Sequence, residues 1–136
     1  MPDVPVALPD ALKRVLDGKA FAHVTTLDPD GTPQASVMWI MRDGDRIVLN
    51  TAEGRRKWRN LKHDPRVAIS ISDERDEYLN FSIQGIATEL RTSDGVETID
   101  ALARKYLRGV EKYPWLRPGM VRVTIIIEAT RVASNH

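Results

Sequence analysis

The chain has 136 residues, 42% hydrophobic and 29% charged, which suits one globular domain with a full core and neither two small domains nor a disordered chain. Its 20 Lys and Arg nearly balance 19 Asp and Glu, a net charge of +1, so no global basic field exists to hold a nucleic acid. No apolar run is long enough for a membrane span, no secretory pattern opens the chain and cysteine is absent, so a soluble cytoplasmic protein without disulfides or thiolate metal ligands is expected.

Residues 1–8, rich in proline, are expected to form a flexible lead into a single domain. Leu12, Val15 and Leu16 recur at helical spacing before Gly18 and predict a short amphipathic helix. Ala20 to Leu27 and Pro33 to Arg42 read as two strands around the turn Asp28-Pro29-Asp30-Gly31. A further turn at Asp43-Gly44-Asp45 leads into a third strand, Arg46 to Thr51. The stretch from Glu53 to Pro65 predicts a strongly basic helix with Trp58 and Leu61 on its core face, stopped by proline.

Strand alternation returns at Arg66 to Ser72 and again from Tyr78 to Leu90, where Gly85 marks a bulge. Asp94 and Glu97 suggest a capping pair for a helix whose apolar face is Val96, Ile99, Leu102, Ala103 and Tyr106. An aromatic loop, Glu111 to Gly119, precedes a last strand within Met120 to Val132. Six antiparallel strands joined by short turns favour a barrel, since closure removes exposed edges.

Arg55, Arg56, Lys57 and Arg59 crowd the start of the basic helix directly after a strand. A helix N-terminus with a guanidinium fork and an ammonium suits phosphate, although a solvated charged face gives the same composition. His23, His63 and His136 are too scattered for a metal site, and none stands out as a catalyst. Among the tryptophans, Trp39 follows a strand in a position suited to a pocket, Trp58 suits the core, and Trp115 lies in a loop that could act as a cover.

The pattern Thr51-x-x-x-Arg55-x-Lys57-x-x-Asn60-Leu61-x-x-Asp64-Pro65-Arg66-Val67, preceded by Phe21 to Ser36 with Pro33-Gln34 opening the second strand, resembles the pyridoxamine-phosphate-oxidase-like split-barrel superfamily. The resemblance spans about residues 10 to 132. It implies a six-stranded antiparallel split β-barrel with flanking helices, acting as a homodimer with two cofactor sites at the interface. By the same resemblance Gln34, Ser36, Val37 and Met38 lie along the cofactor's three-ring head, with Trp39 beside them. Thr51, Arg55, Lys57 and Arg56 would hold the phosphate, Asn60 belongs to the same motif, and Tyr78, Asn80 and Phe81 would close the pocket from the other subunit.

The chain is similar to the short branch that binds the 8-hydroxy-5-deazaflavin coenzyme F-420, whereas other branches bind flavin mononucleotide (FMN). Its ending, Glu128 to His136, lacks the terminal Arg-Leu-x-Pro of true pyridoxamine phosphate oxidases, which disfavours vitamin B6 oxidation. Arg59 and Lys62 add cations beyond what one phosphate needs, in keeping with the coenzyme's carboxylate-bearing tail. The implied activity is hydride transfer from the reduced coenzyme to a small unsaturated or quinone-like acceptor, with the cofactor supplying the redox chemistry. An FMN oxidoreductase of the same fold and a non-enzymatic cofactor carrier are the alternatives.

Overall fold

The computed structural model describes residues 4–135. In chain order it contains α1 (Asp10–Asp17), β1 (Ala22–Leu27), β2 (Pro33–Met38), β3 (Met41–Asp43), β4 (Arg46–Ala52), α2 (Arg56–His63), β5 (Arg66–Ser72), β6 (Asn80–Arg91), α3 (Gly95–Tyr106) and β7 (Arg122–Ser134). The strands form one antiparallel sheet in the order β2-β1-β5-β6-β7-β4-β3. Its two edge strands, β2 and β3, are consecutive in the chain and separated only by Trp39 and Ile40. The sheet must therefore curl until its edges meet. No backbone ladder joins them, so the barrel is split along that seam.

Alternation decides which side chains fill the barrel. Val67, Ile69 and Ile71 of β5 and Ile125 and Ile127 of β7 point inward, with Leu49, Ile83 and Val24, into one continuous core. Each such side chain, fully buried, contributes roughly 1.5–3 kcal/mol of transfer free energy. Leu12 and Leu16 of α1 pack in this core beside Ile40 and Ile47, and Leu61 of α2 joins it near the ends of β1 and β4. The two short helices thus close opposite ends of the barrel. β7 is buried on its other face as well, where Ile126 and Thr124 lie under α3 and the Thr124 hydroxyl donates to that of Thr98 at 2.8 Å.

Several expectations are corrected. There are seven strands, because the predicted Pro33 to Arg42 strand breaks at Trp39-Ile40. The Ile40 N–H donates to the Tyr106 hydroxyl at 3.1 Å, and Lys105 Nζ donates to the Ile40 carbonyl, so α3 takes the backbone groups that a strand neighbour would use. Within the lead, Val6 N–H donates to the Ala129 carbonyl, Leu8 N–H donates to Asp45, and Leu8 is buried, while Val4 and Val6 are exposed. Residues 1–3 and His136 lie outside the described residues.

The Asp94 carboxylate does not cap α3, because Arg91 donates to it at 2.8 Å. Val96 is 41% exposed and off the packed face, while Ile99, Leu102 and Ala103 are buried. Trp58 is half-buried outside the core, with Lys62 Nζ 4.2 Å from its ring centroid. The bulge at Gly85 is present: the β6–β7 register shifts between Gln84 and Gly85, where a Cβ would sit 2.8 Å from the Glu128 carbonyl oxygen.

Candidate functional site

A cavity of about 270 Å³ opens beside the seam, lined by the end of β2, the start of α2, α3, the Tyr113–Trp115 loop and the start of β7. Val37, Met38, Trp39, Arg55, Lys57 and Trp115, all singled out from the sequence, meet there with Phe21, Asn50, Tyr113 and Arg122, which were not.

One wall is aromatic. Tyr106 lies between Phe21 and Trp39, with ring centroids 5.5 and 5.4 Å away and nearly parallel planes. Trp39 is in turn met edge-on by Tyr113 at 6.2 Å and at a tilt by Trp115 at 6.5 Å. Tyr106 is held firmly, since its hydroxyl donates to the Ala20 carbonyl at 2.6 Å while accepting the Ile40 N–H. Burial pushes that hydroxyl up to about 12. The strand break therefore turns Trp39 out of a sheet edge and onto a fixed stack. Trp115, 54% exposed, stands at the mouth.

The opposite wall is cationic. Arg55 occupies the N-cap position of α2 and Lys57 its first turn. Arg122, only 4% exposed, reaches in from β7; its Nε donates to Asn50 Oδ1 at 2.9 Å and its guanidinium lies 5.1 Å from the Tyr113 ring centroid. Asn50 is fixed from the other side, because its Nδ2 donates to the Gly95 carbonyl at 2.8 Å. Among the described residues none of the three cations has a carboxylate partner. Desolvation, then repulsion from Arg55 and Arg122, lowers the Lys57 pKa; desolvation also lowers that of Arg122.

Arg56 behaves differently from its neighbours. It forms a bidentate pair with Asp28 in the β1–β2 turn, and chiefly that hydrogen bond holds the Asp28 carboxyl down at about 2. Its charge is satisfied within the fold and it does not line the cavity. Asn60 is buried and donates to Thr26 and Asp28 at 3.0 Å, bracing the same turn. Phe81 is buried in the core, Tyr78 is exposed, and Asn80 bonds to Asn135 and Glu77; none of these lines the cavity.

Gln34 and Ser36 lie on the side of β2 that carries Met38, alternating with exposed Ala35 and Val37. Gln34 Oε1, Ser36 Oγ and Thr51 Oγ1 are buried with no hydrogen-bond partner among the described residues. Orphaned polar atoms are uncommon in native interiors. All three belong to residues that the resemblance sets against the cofactor's head or phosphate, so the donor set fits such a group. A second hollow, of about 320 Å³ and lined by Thr25, Arg66, Ala68, Gln84 and Thr130, lies on the outer sheet face and lacks convergent aromatic and cationic walls.

An antiparallel split barrel with an aromatic and cationic cleft at its seam defines a class of small split-barrel proteins. The chain belongs to the pyridoxamine 5'-phosphate oxidase family, whose model matches residues 8–133, and its likeness is to the F-420 branch. A solved structure named F420 reductase is 26% identical, with a TM-score of 0.81 over 93% of this chain and 98% of that one. The fold alone is shared with a conserved hypothetical protein of Mycobacterium tuberculosis, at 21% identity and a TM-score of 0.72 over 98% of this chain and 89% of that one. The same holds for General Stress Protein 26 of Bacillus anthracis, at 16% identity and a TM-score of 0.66 over 89% and 88%.

Proposed function

We propose that this protein is a homodimeric oxidoreductase that uses reduced coenzyme F-420 to transfer hydride to a small unsaturated or quinone-like acceptor. The observation that carries the reading is the cleft itself, which brings three carboxylate-free cations together with an aromatic wall; the orphaned polar atoms of Gln34, Ser36 and Thr51 add to it although these residues do not line the cleft. The 26% identical F420 reductase supports the choice of coenzyme.

When bound, the reduced coenzyme supplies the hydride. Arg55 and Lys57 would hold its phosphate with Thr51, Gln34 and Ser36 would meet polar atoms of the ring, and Val37, Met38 and Trp39 would lie along it. Trp115 and Tyr113 would exclude water from the mouth. Among the described residues no carboxylate or imidazole lines the cleft, so Tyr113 Oη and Lys57 Nζ are the groups there able to give a proton to the reduced acceptor. FMN shares a three-ring head and a phosphate, and the same cations would serve it.

The outer face of β2, β1, β5 and β6 is uncovered by any helix and presents two cross-strand rows, Val37-His23-Ser70-Ser82 and Ala35-Thr25-Ala68-Gln84. These rows are small and carry no Lys, Arg, Asp or Glu, which suits a two-fold contact with a second copy. The partner would bring Tyr78 and Asn80 toward the cleft.

Titration of the purified protein with F-420 and with FMN, at low and high salt, tests the reading. Tighter binding of F-420, with a preference that shrinks at high salt, is expected, because the tail carboxylates meet exposed cations worth about 0.2–1 kcal/mol each. Tighter binding of FMN would refute the choice of coenzyme.

A further inference from the structure

Arg122 is the most deeply buried cation of the cleft, and the fold does not neutralise it. Its Nε is taken by neutral Asn50, its Nη1 has, among the described residues, only the Met120 sulfur at 3.7 Å, and a guanidinium carries five donors. Around it lie Tyr113, whose ring faces it, Lys57 and Arg55, with Ile99 and Leu102 of α3; none is acidic. A buried charge left without a counter-ion is destabilising, so a fold that buries Arg122 beside half-buried Lys57 and exposed Arg55 is built to receive negative charge from outside. Arg122 follows the aromatic loop at the start of β7, sixty-five positions beyond Lys57, and belongs to no part of the basic-helix motif.

We propose that Arg122 joins Arg55 and Lys57 in one receptor for a doubly charged part of the ligand, and that it makes the cleft selective for ligands with two negative charges close together. In FMN these charges are those of the phosphate monoester. In F-420 they are the phosphodiester and the nearest carboxylate of the tail. The inference rests on the reading of this cleft as the cofactor site but not on which cofactor is bound. Arg122 is a binding residue in this role, acting on the anionic end and not on the ring.

The test uses Arg122→Gln and Arg122→Lys in the full chain, with two ligand pairs: F-420 against the phosphate-free 8-hydroxy-5-deazariboflavin, and FMN against riboflavin. A charge-assisted hydrogen bond is worth about 1.5–3 kcal/mol, so Arg122→Gln is expected to weaken the phosphorylated member of the preferred pair about 10- to 150-fold. Its phosphate-free counterpart should bind as it does to wild type, and Arg122→Lys should recover part of the loss. Because removing an uncompensated buried charge relieves the empty cleft, the ligand-free melting temperature of Arg122→Gln should not fall. Equal losses for both members of a pair, unchanged affinity for the phosphorylated one, or a lower ligand-free melting temperature with parallel loss of all ligands would overturn the proposal. If FMN alone binds and shows the Arg122 dependence, the F-420 reading fails while this inference stands. If neither pair binds wild type, both fail.

Discussion

Replacing Gly95 with alanine tests how α3 positions the cleft. Gly95 is the first residue of α3 and lies directly on the β7 backbone; a Cβ there would stand 1.9 Å from the Arg122 carbonyl oxygen and 2.4 Å from its carbonyl carbon. Neither obstacle is a flexible side-chain end, so the helix start must retreat by about 1.5 Å to reach ordinary contact. That retreat breaks the 2.8 Å bond from Asn50 Nδ2 to the Gly95 carbonyl. Overpacking costs about 1–3 kcal/mol and the lost buried hydrogen bond a similar amount, offset by at most about 1 kcal/mol of helix propensity. The expected loss is about 2–4 kcal/mol, a fall in melting temperature of roughly 6–20 °C for a chain of this size. Urea unfolding of Gly95→Ala beside wild type measures it. Because Asn50 also holds Arg122, ligand affinity should fall in the same variant. A change within about 0.5 kcal/mol, the range of an ordinary surface substitution, would refute the contact geometry.

Other expectations separate the roles of individual residues. Lys57→Ala should weaken cofactor binding about tenfold or more, whereas Arg56→Ala, which frees Asp28, should leave the dissociation constant near wild type; equal losses by fluorescence titration would contradict the division between them. Ala68→Glu, placing charges in the middle of the uncovered sheet face, should convert a dimer to monomer by light scattering, and an unaltered dimer would move the interface elsewhere. Burial lowers the Lys105 pKa from 10.5 to about 8, so between those values the unfolded chain binds more protons and this group's contribution to stability rises with pH. Tyr106, raised from 10.0 to about 12, acts in the opposite sense, its contribution falling as pH rises from 10 to 12. Urea midpoints at pH 7.5, 10 and 11.5 should show the first rise missing in Lys105→Met and the later fall reduced in Tyr106→Phe; a rise that persists in Lys105→Met would assign it to another group.

Local chemistry determined much of the molecule. The alternation in Arg66–Ser72 and around Ile125 and Ile127, the turns at Gly31 and Gly44 and the bulge at Gly85 are properties of short segments, legible because backbone preference and side-chain period act within a few residues. The concentration of Arg55 and Lys57 after a strand end was likewise visible, and both line the cleft. What the segments could not disclose depends on partners far along the chain. The strand break at Ile40 is made by Lys105 and Tyr106, more than sixty residues away, and Arg56 is withdrawn from the cleft by Asp28 across the barrel end. Arg122 reads as one more charged residue at a strand start until folding buries it opposite Lys57 without a carboxylate. Pairing across such distances is decided by how the sheet curls and where α3 seats on it, and no local periodicity encodes which charges that closure will leave uncompensated.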